Sequence, residues 1–179
     1  MMAQRIPPGD RRELGLINWA ISRIGARSIR APEMHLLTTM GRNRLLLRSF
    51  LPYSVVLLKW GKLPKTDKEV VILRVGHLRG SEYELQQHRR LARSRGLDAA
   101  LQDRIFAGPT AEGLTGRERA LLTAVDEFVL TRDLSDATFD ALSAHLSQEQ
   151  IIEFCSLAGH YDAIAAILTA LRVRMDFPD

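Results

Sequence analysis

The stretch GSEYELQQH spans residues 80–88 and carries the most informative spacing in the chain. Its Ser81, Glu84 and His88 occupy positions i, i+3 and i+7, so a helix would present all three on one face. Glu84 and His88 are one turn apart, which allows the carboxylate to accept a hydrogen bond from the imidazole. Such a pair holds a histidine in one tautomer for proton transfer near neutral pH. The same spacing also occurs on ordinary solvated helix faces, so by itself it leaves both interpretations open.

The sequence on either side of this stretch is helical in its periodicity. Three capping boxes, Thr66-x-x-Glu69, Thr115-x-x-Glu118 and Ser147-x-x-Gln150, each precede an apolar periodic run. Together with the glycine and serine boundaries they predict six helices, over residues 67–79, 81–95, 98–106, 118–131, 135–145 and 149–173.

The N-terminal third is predicted to hold three further helices. Asp10 can cap the first, whose apolar residues Leu14, Ile17, Ile21 and Ile24 recur at helical steps and which Gly25 would end. Pro32 suits the first turn of a second helix over 34–40, and Pro52 is expected to kink or split a third over 44–60. No segment alternates with a period of two, so the predicted fold class is all-α, without a sheet.

Composition excludes several classes of protein. The chain has 179 residues, of which 46% are hydrophobic and 26% charged, which is ordinary for a globular protein and not for a disordered or collagen-like one. A single cysteine, Cys155, cannot form an internal disulfide, which favours a reducing compartment. No apolar run reaches the length of a membrane span, and the first residues lack the apolar run of a signal peptide. We therefore expect a cytoplasmic protein without membrane association.

Charge is unevenly distributed along the chain. Residues 1–95 carry 19 basic and 7 acidic side chains, and residues 96–179 carry 6 and 14. This pattern fits either a positive field that attracts anions or two halves whose charges interleave on folding. The densest basic run, residues 88–95, contains no aromatic residues and matches no nucleic-acid motif, so we expect no nucleic-acid partner.

The string from Gly80 to His88, followed by Ala92 and Gly96, resembles the carboxymuconolactone decarboxylase family. It matches that family's pattern G-x-x-Y-E-x-x-x-H-x-x-x-A-x-x-x-G, and the resemblance extends over about residues 44–173. The resemblance implies the all-helical fold shared with the alkyl hydroperoxidase D proteins, in a homo-oligomer. It divides the chain into an N-terminal helical extension, residues 1–43, and a decarboxylase-like domain, residues 44–179.

The resemblance also implies a site. His88 would be the general acid/base and Glu84 its tuning partner, while Glu69 either belongs to the site or serves only in its capping box. The residues predicted to bind substrate are Ser81, Tyr83, Arg74, His160 and Tyr161, with Arg79 as the alternative to Arg74 for holding a substrate carboxylate. For Tyr83 packing is the competing interpretation, and for His160 and Tyr161 it is a hydrogen bond inside the core.

One departure from the wider superfamily concerns redox chemistry. The peroxidase branch carries C-x-x-C where this chain has Ser81 and Glu84. Neither side chain can attack a peroxide or resolve a disulfide, and Cys155 stands alone in an apolar segment. We therefore expect no dithiol peroxidase activity. The spacings of His77, His88 and His160 match no zinc motif, so we predict no metal and no other cofactor.

Three functions remain compatible with these residues. The first is a cofactor-independent lyase of aromatic catabolism that decarboxylates a small carboxylated lactone or another enolisable acid. The second is a proton-transfer isomerase, which would also pass through an enolate. The third is an anion-binding or assembly protein without catalytic activity. The expected partners are a small anionic organic substrate and further copies of the chain.

Overall fold

The computed structural model describes residues 4–177, which form helices and connecting loops without any strand. The all-α fold class is confirmed. By compactness the chain falls into two units: one contains residues 4–56 and 166–177, and the other is Leu57–Ala165. The predicted boundary at residue 44 lies between two helices of the first unit and stays a prediction.

The first unit contains three helices and the end of the last one. They are α1 (Arg11–Ser28), α2 (His35–Met40) and α3 (Arg44–Val55). The Asp10 carboxylate accepts from the amides of Arg12 and Glu13, and the Glu13 side chain accepts from the Asp10 amide, which completes a capping box. Pro52 lies within α3, and the helix changes to a π-helical segment at Val56–Trp60, close to the predicted kink. Pro32 precedes α2 and does not occupy its first turn, since α2 begins at His35.

Two expectations for α1 are wrong. Gly25 does not end the helix, which continues to Ser28. A Cβ at this position would stand 2.4 Å from Leu37 Cδ1, so the glycine permits close packing against Leu37. Ile17 and Ile24 are 57% and 67% exposed, and the buried stripe is Leu14, Asn18, Ser22 and Ala26. Asn18 is drawn inward because its amide donates to the carbonyls of Gly41 and Arg44.

The second unit holds the sequence stretch that opened the analysis. Its helices are α4 (Lys65–Leu78), α5 (Glu82–Ser94), α6 (Ala99–Ala107), α7 (Gly116–Thr131), α8 (Asp136–Ser143) and most of α9 (Gln148–Leu171). The α4 helix lies at the centre and packs against α5, α6 and α7. Ten consecutive residues of α4, 67–76, are buried, so its polar side chains must find partners inside the protein.

Two of the three predicted capping boxes are present. Thr115 and Glu118 cap α7, and Ser147 and Gln150 exchange the same pair of bonds at α9. The third is wrong: α4 begins after Pro64 with no side-chain cap, and Glu69 points elsewhere. Pro64 is the N-cap residue of α4, and because proline has no N–H it leaves one amide fewer to satisfy at this end of the helix.

Helix α9 is the one described helix that is long and apolar enough by composition to cross a membrane. That is weak evidence, since 56% of its most apolar window is buried inside the protein, as in the core helix of a soluble domain. Its Glu153 and Asp162 are ion-paired with Lys68 and Arg79. The helical domain is of a soluble type, which is compatible with the predicted cytoplasmic location.

Candidate functional site

Glu69 and His88 form a buried pair between α4 and α5. His88 Nδ1 lies 2.9 Å from Glu69 Oε2, and the Glu69 side chain is fully buried. Since a carboxylate only accepts, Nδ1 is the donor and Nε2 is left to exchange a proton. The predicted partner of His88, Glu84, does not bond to it. Helical spacing placed Glu84 within reach of His88, but the observed partner is Glu69 from the neighbouring helix α4. Spacing within a single helix cannot predict a contact between two helices.

Arg95 contacts the other oxygen of Glu69. Its Nη1 donates to Oε1 at 2.5 Å, so both carboxylate oxygens are in use. The sequence analysis did not single out Arg95. Its spacing of seven residues from His88 was a usable signal, because positions i and i+7 share one helix face.

Helix α9 contacts the Glu69–His88 pair through Tyr161. Its ring meets the His88 ring edge-on, with 5.1 Å between centroids. Burial, and then the charges of Glu69 and Glu84, raise the pKa of Tyr161 well above its usual value, with Arg95 opposing. The phenol therefore stays protonated and is a hydrogen-bond donor close to both carboxyl groups. His160 packs edge-on against Tyr161 at 5.8 Å, and burial lowers the pKa of His160.

Glu84 is buried without a partner among the described residues. Neither of its oxygens makes a hydrogen bond, and the buried Ser81 hydroxyl likewise makes none. Burial raises the pKa of Glu84 to about 8, and the charge of Asp162 adds to this. The nearby Ser81 hydroxyl opposes the shift but does not reach hydrogen-bond geometry. At pH 7 Glu84 is a neutral carboxylic acid with a proton to donate.

Ser81 occupies the N-cap of α5 as expected, but its side chain makes no capping bond. Tyr83 is buried next to it in the first turn of α5. On an ideal helix its side chain points about 100° away from that of Glu84, which agrees with the packing interpretation.

Arg74, predicted to bind a substrate carboxylate, makes four hydrogen bonds inside the protein. Its Nε and Nη2 hold both oxygens of Asp126, at 2.6 and 2.8 Å, and its Nη1 donates to the carbonyls of Ile105 and Phe106. These bonds fasten α4 to α7 and to the end of α6. Four of its five N–H groups therefore serve the fold, and its part in substrate binding stays a prediction.

Two further groups bear on the chemistry. Cys155 is half-buried, and burial raises the pKa of its thiol, which disfavours the nucleophilic thiolate. Among residues 4–177 no three His, Cys, Asp or Glu side chains gather into a group that could hold a metal ion.

Comparison with known proteins identifies the segment that carries this arrangement. Residues 45–127 match the model of the carboxymuconolactone decarboxylase family. The chain is similar to that family over this segment. The match contains Glu69, Ser81, Glu84, His88 and Arg95, and ends before α9. No curated protein matches the chain in sequence.

Solved structures with the same fold include an uncharacterised peroxidase-related protein with an alkylhydroperoxidase AhpD core from Ralstonia eutropha JMP134. It superposes with a TM-score of 0.84 at 16% identity, over 98% of this chain and 93% of that one. A putative antioxidant defence protein AhpD from Agrobacterium tumefaciens gives 0.66 at 22%, over 73% and 90%. The debrominase Bmp8, in a complex of one of its variants with 2,3,4-tribromopyrrole, gives 0.78 at 18%, over 97% and 92%. Identities this low establish the AhpD-like fold and not the reaction.

Proposed function

We propose that this protein belongs to the carboxymuconolactone decarboxylase family and is a cofactor-independent acid/base enzyme. It would act on a small carboxylated lactone or another enolisable acid, and decarboxylation is the reaction the family match favours. The observation that carries the proposal is a buried carboxylate–imidazole pair beside a carboxylic acid that stays protonated at pH 7. Two carboxyl groups kept in different states by their surroundings are typical of acid/base sites.

His88 is the proposed proton carrier. Loss of CO2 breaks a carbon–carbon bond and leaves its electron pair on the substrate as an enolate. Protonated Nε2 of His88 then donates its proton to carbon, and the proton is replaced from water. Glu69 accepts from Nδ1 throughout, which orients the ring and stabilises its charged form.

Glu84 and Ser81 are the proposed donors to the enolate oxygen. Their buried polar atoms have no partner among residues 4–177, and such atoms are costly unless a ligand satisfies them. A neutral carboxylic acid and a hydroxyl can each donate to developing negative charge on oxygen, and donors that are already in position stabilise that charge most strongly in a water-poor site. The same donors would suit the carbonyl oxygen of a lactone.

CO2 release from 4-carboxymuconolactone tests the proposal. We expect release by the wild type and a loss of at least about 10²-fold in His88→Gln, because general acid/base catalysis contributes about that much. His145→Gln is the matched control, since His145 is exposed and its hydrogen bonds to other described residues come from its main chain. Equal activity in wild type and His88→Gln would contradict the proposed role of His88.

Isomerisation would use the same residues, and solvent labelling separates it from decarboxylation. In D2O a decarboxylase releases CO2 and leaves one carbon-bound deuteron in the product, whereas an isomerase keeps the carbon count of the substrate. Homo-oligomer formation also stays a prediction, which sedimentation of the purified chain measures.

A further inference from the structure

Arg95 is held in place at the end of α5. Its amide donates to the carbonyls of Leu91 and Ala92, and its side chain is only 19% exposed. Nη1 reaches Glu69 Oε1 at 2.5 Å and the Lys65 carbonyl at 3.5 Å. The guanidinium therefore bridges the last turn of α5 to the first turns of α4.

The charged groups around His88 indicate what Arg95 does. A fully buried carboxylate needs a positive partner, and Glu69 has two candidates, Arg95 and a protonated His88. The other titratable groups facing this pair are Tyr161 from α9 and Glu84 from α5. Tyr161 stays neutral because its pKa is raised, and Glu84 is neutral below about pH 8. Arg95 is the permanent cation among these described residues.

We propose that Arg95 is a positioning residue that supplies the counter-charge of Glu69, so that His88 can lose and regain the proton on Nε2. Without Arg95, the buried carboxylate would stabilise the His88 imidazolium so strongly that it would be a poorer proton donor to the substrate carbon. Arg95 also fixes Oε1, which leaves Oε2 directed at Nδ1. The catalytic consequence rests on the proposed function, but the state of the His88 ring is measurable without substrate.

The direct test is the 15N spectrum of histidine-labelled protein, which separates protonated from bare ring nitrogens. The His88 signal is identified by its absence in His88→Gln. Over one pH series we expect the same share of bare Nε2 in the wild type, in Arg95→Lys and in Arg93→Gln, an exposed arginine of the same turn that serves as control. Arg95→Gln should show a smaller share of bare Nε2 than the wild type across the series, because Glu69 has lost its other cation. An equal share in Arg95→Gln and in the wild type would overturn the proposal.

A second pair of variants avoids leaving the fully buried Glu69 carboxylate without the Arg95 cation, should Arg95→Gln fail to fold. In Glu69→Gln the cation of Arg95 stays without its carboxylate, and in Glu69→Gln/Arg95→Gln both charges are gone. His88 should release its proton at lower pH in the single variant than in the double variant. Equal titration in the two would overturn the proposal.

Catalysis separates this inference from the proposed function. With an active wild type, Arg95→Gln should lower kcat, with KM within about twofold and most activity regained in Arg95→Lys. An inactive wild type whose 15N spectra follow the expectation would reject the proposed reaction and keep the role of Arg95. An active wild type with an unchanged Arg95→Gln would reject Arg95 alone.

Discussion

Glu69 and His88 are 19 residues apart in sequence and joined by a 2.9 Å hydrogen bond between two helices, whereas Glu84, one turn from His88, is not its partner. The two glutamates therefore have separable functions. Glu69 bonds to the imidazole, and in the proposed mechanism Glu84 would donate a hydrogen bond to the substrate.

The first prediction compares the two glutamates by substitution. Glu69→Gln removes the charge that stabilises the imidazolium, so kcat should fall by about 10²-fold or more. Its 15N spectrum should show the His88 tautomer no longer fixed. Glu84→Gln keeps an N–H donor and should lower kcat less, with the His88 tautomer unchanged. The reverse order would restore Glu84 as the partner of His88.

The second prediction concerns the pH dependence that Glu84 imposes on folding. Its pKa is raised in the folded protein to about 8 from a usual value of 4.5, so the folded state holds a proton that the unfolded state releases. The stability associated with this group is fully present below about pH 4.5 and is lost as the pH rises towards 8. Thermal unfolding of the wild type should therefore weaken over that window more steeply than that of Glu84→Gln. Parallel curves would mean that Glu84 is ionised in the native protein.

The same titration should appear in catalysis. If Glu84 donates to the enolate oxygen, activity falls as the pH rises through about 8, where the carboxyl loses its proton. Glu84→Gln cannot ionise, so this limb should disappear from its profile. A limb near pH 8 that persists in Glu84→Gln belongs to another group.

The third prediction tests whether Arg74 is structural. Replacing it by methionine leaves Asp126 and two carbonyls without their donor, which should cost about 2–4 kcal/mol in the free energy of unfolding. The cost falls at the lower side of the range for buried pairs because the Asp126 side chain is 24% exposed. Urea unfolding measures it, with Arg93→Gln as the surface control. KM per folded molecule should stay unchanged, whereas a raised KM would return Arg74 to the substrate site.

The fourth prediction addresses the buried pair of Lys68 and Glu153. Lys68 Nζ lies 2.8 Å from Glu153 Oε1 and 2.5 Å from the Leu57 carbonyl, and Glu153 Oε2 accepts from the Leu63 amide at 2.9 Å. Lys68→Met leaves the buried Glu153 carboxylate without its positive partner, so it should lower the free energy of unfolding by about 3–5 kcal/mol.

A double variant provides the control for this pair. Glu153→Gln removes the charge and keeps an acceptor for the Leu63 amide. Lys68→Met/Glu153→Gln should then be more stable than Lys68→Met alone, as measured by urea unfolding in a double-mutant cycle. Additive losses would indicate that the two side chains are not coupled.

Sequence patterns predicted the elements of this fold better than the contacts of its site. Local rules sufficed for the helices capped by Asp10, Thr115 and Ser135, because the cap and the amides it satisfies are neighbours in sequence. Local rules failed where a side chain forms its hydrogen bonds with residues far away in the sequence. Arg74 bonds to residues 31 to 52 positions away, and Glu69 to residues 19 and 26 positions away. The family resemblance identified Glu69 and His88 as candidates, but only the packed structure shows that Oε2 of Glu69 faces Nδ1 of His88.

The last prediction uses two threonines that look alike in sequence. Thr66 and Thr115 both open the pattern T-x-x-E, yet only Thr115 accepts a bond from the amide three residues on, at 3.2 Å from Glu118. Thr115→Ala should lower the free energy of unfolding by about 1 kcal/mol, the usual cost of losing a cap. Thr66 is exposed and caps nothing, so Thr66→Ala should change stability by less than about 0.5 kcal/mol. Urea unfolding of the two variants side by side measures the difference. Equal losses would mean that α4 begins with the cap its sequence suggests and that Glu69 shares its carboxylate between that cap and His88.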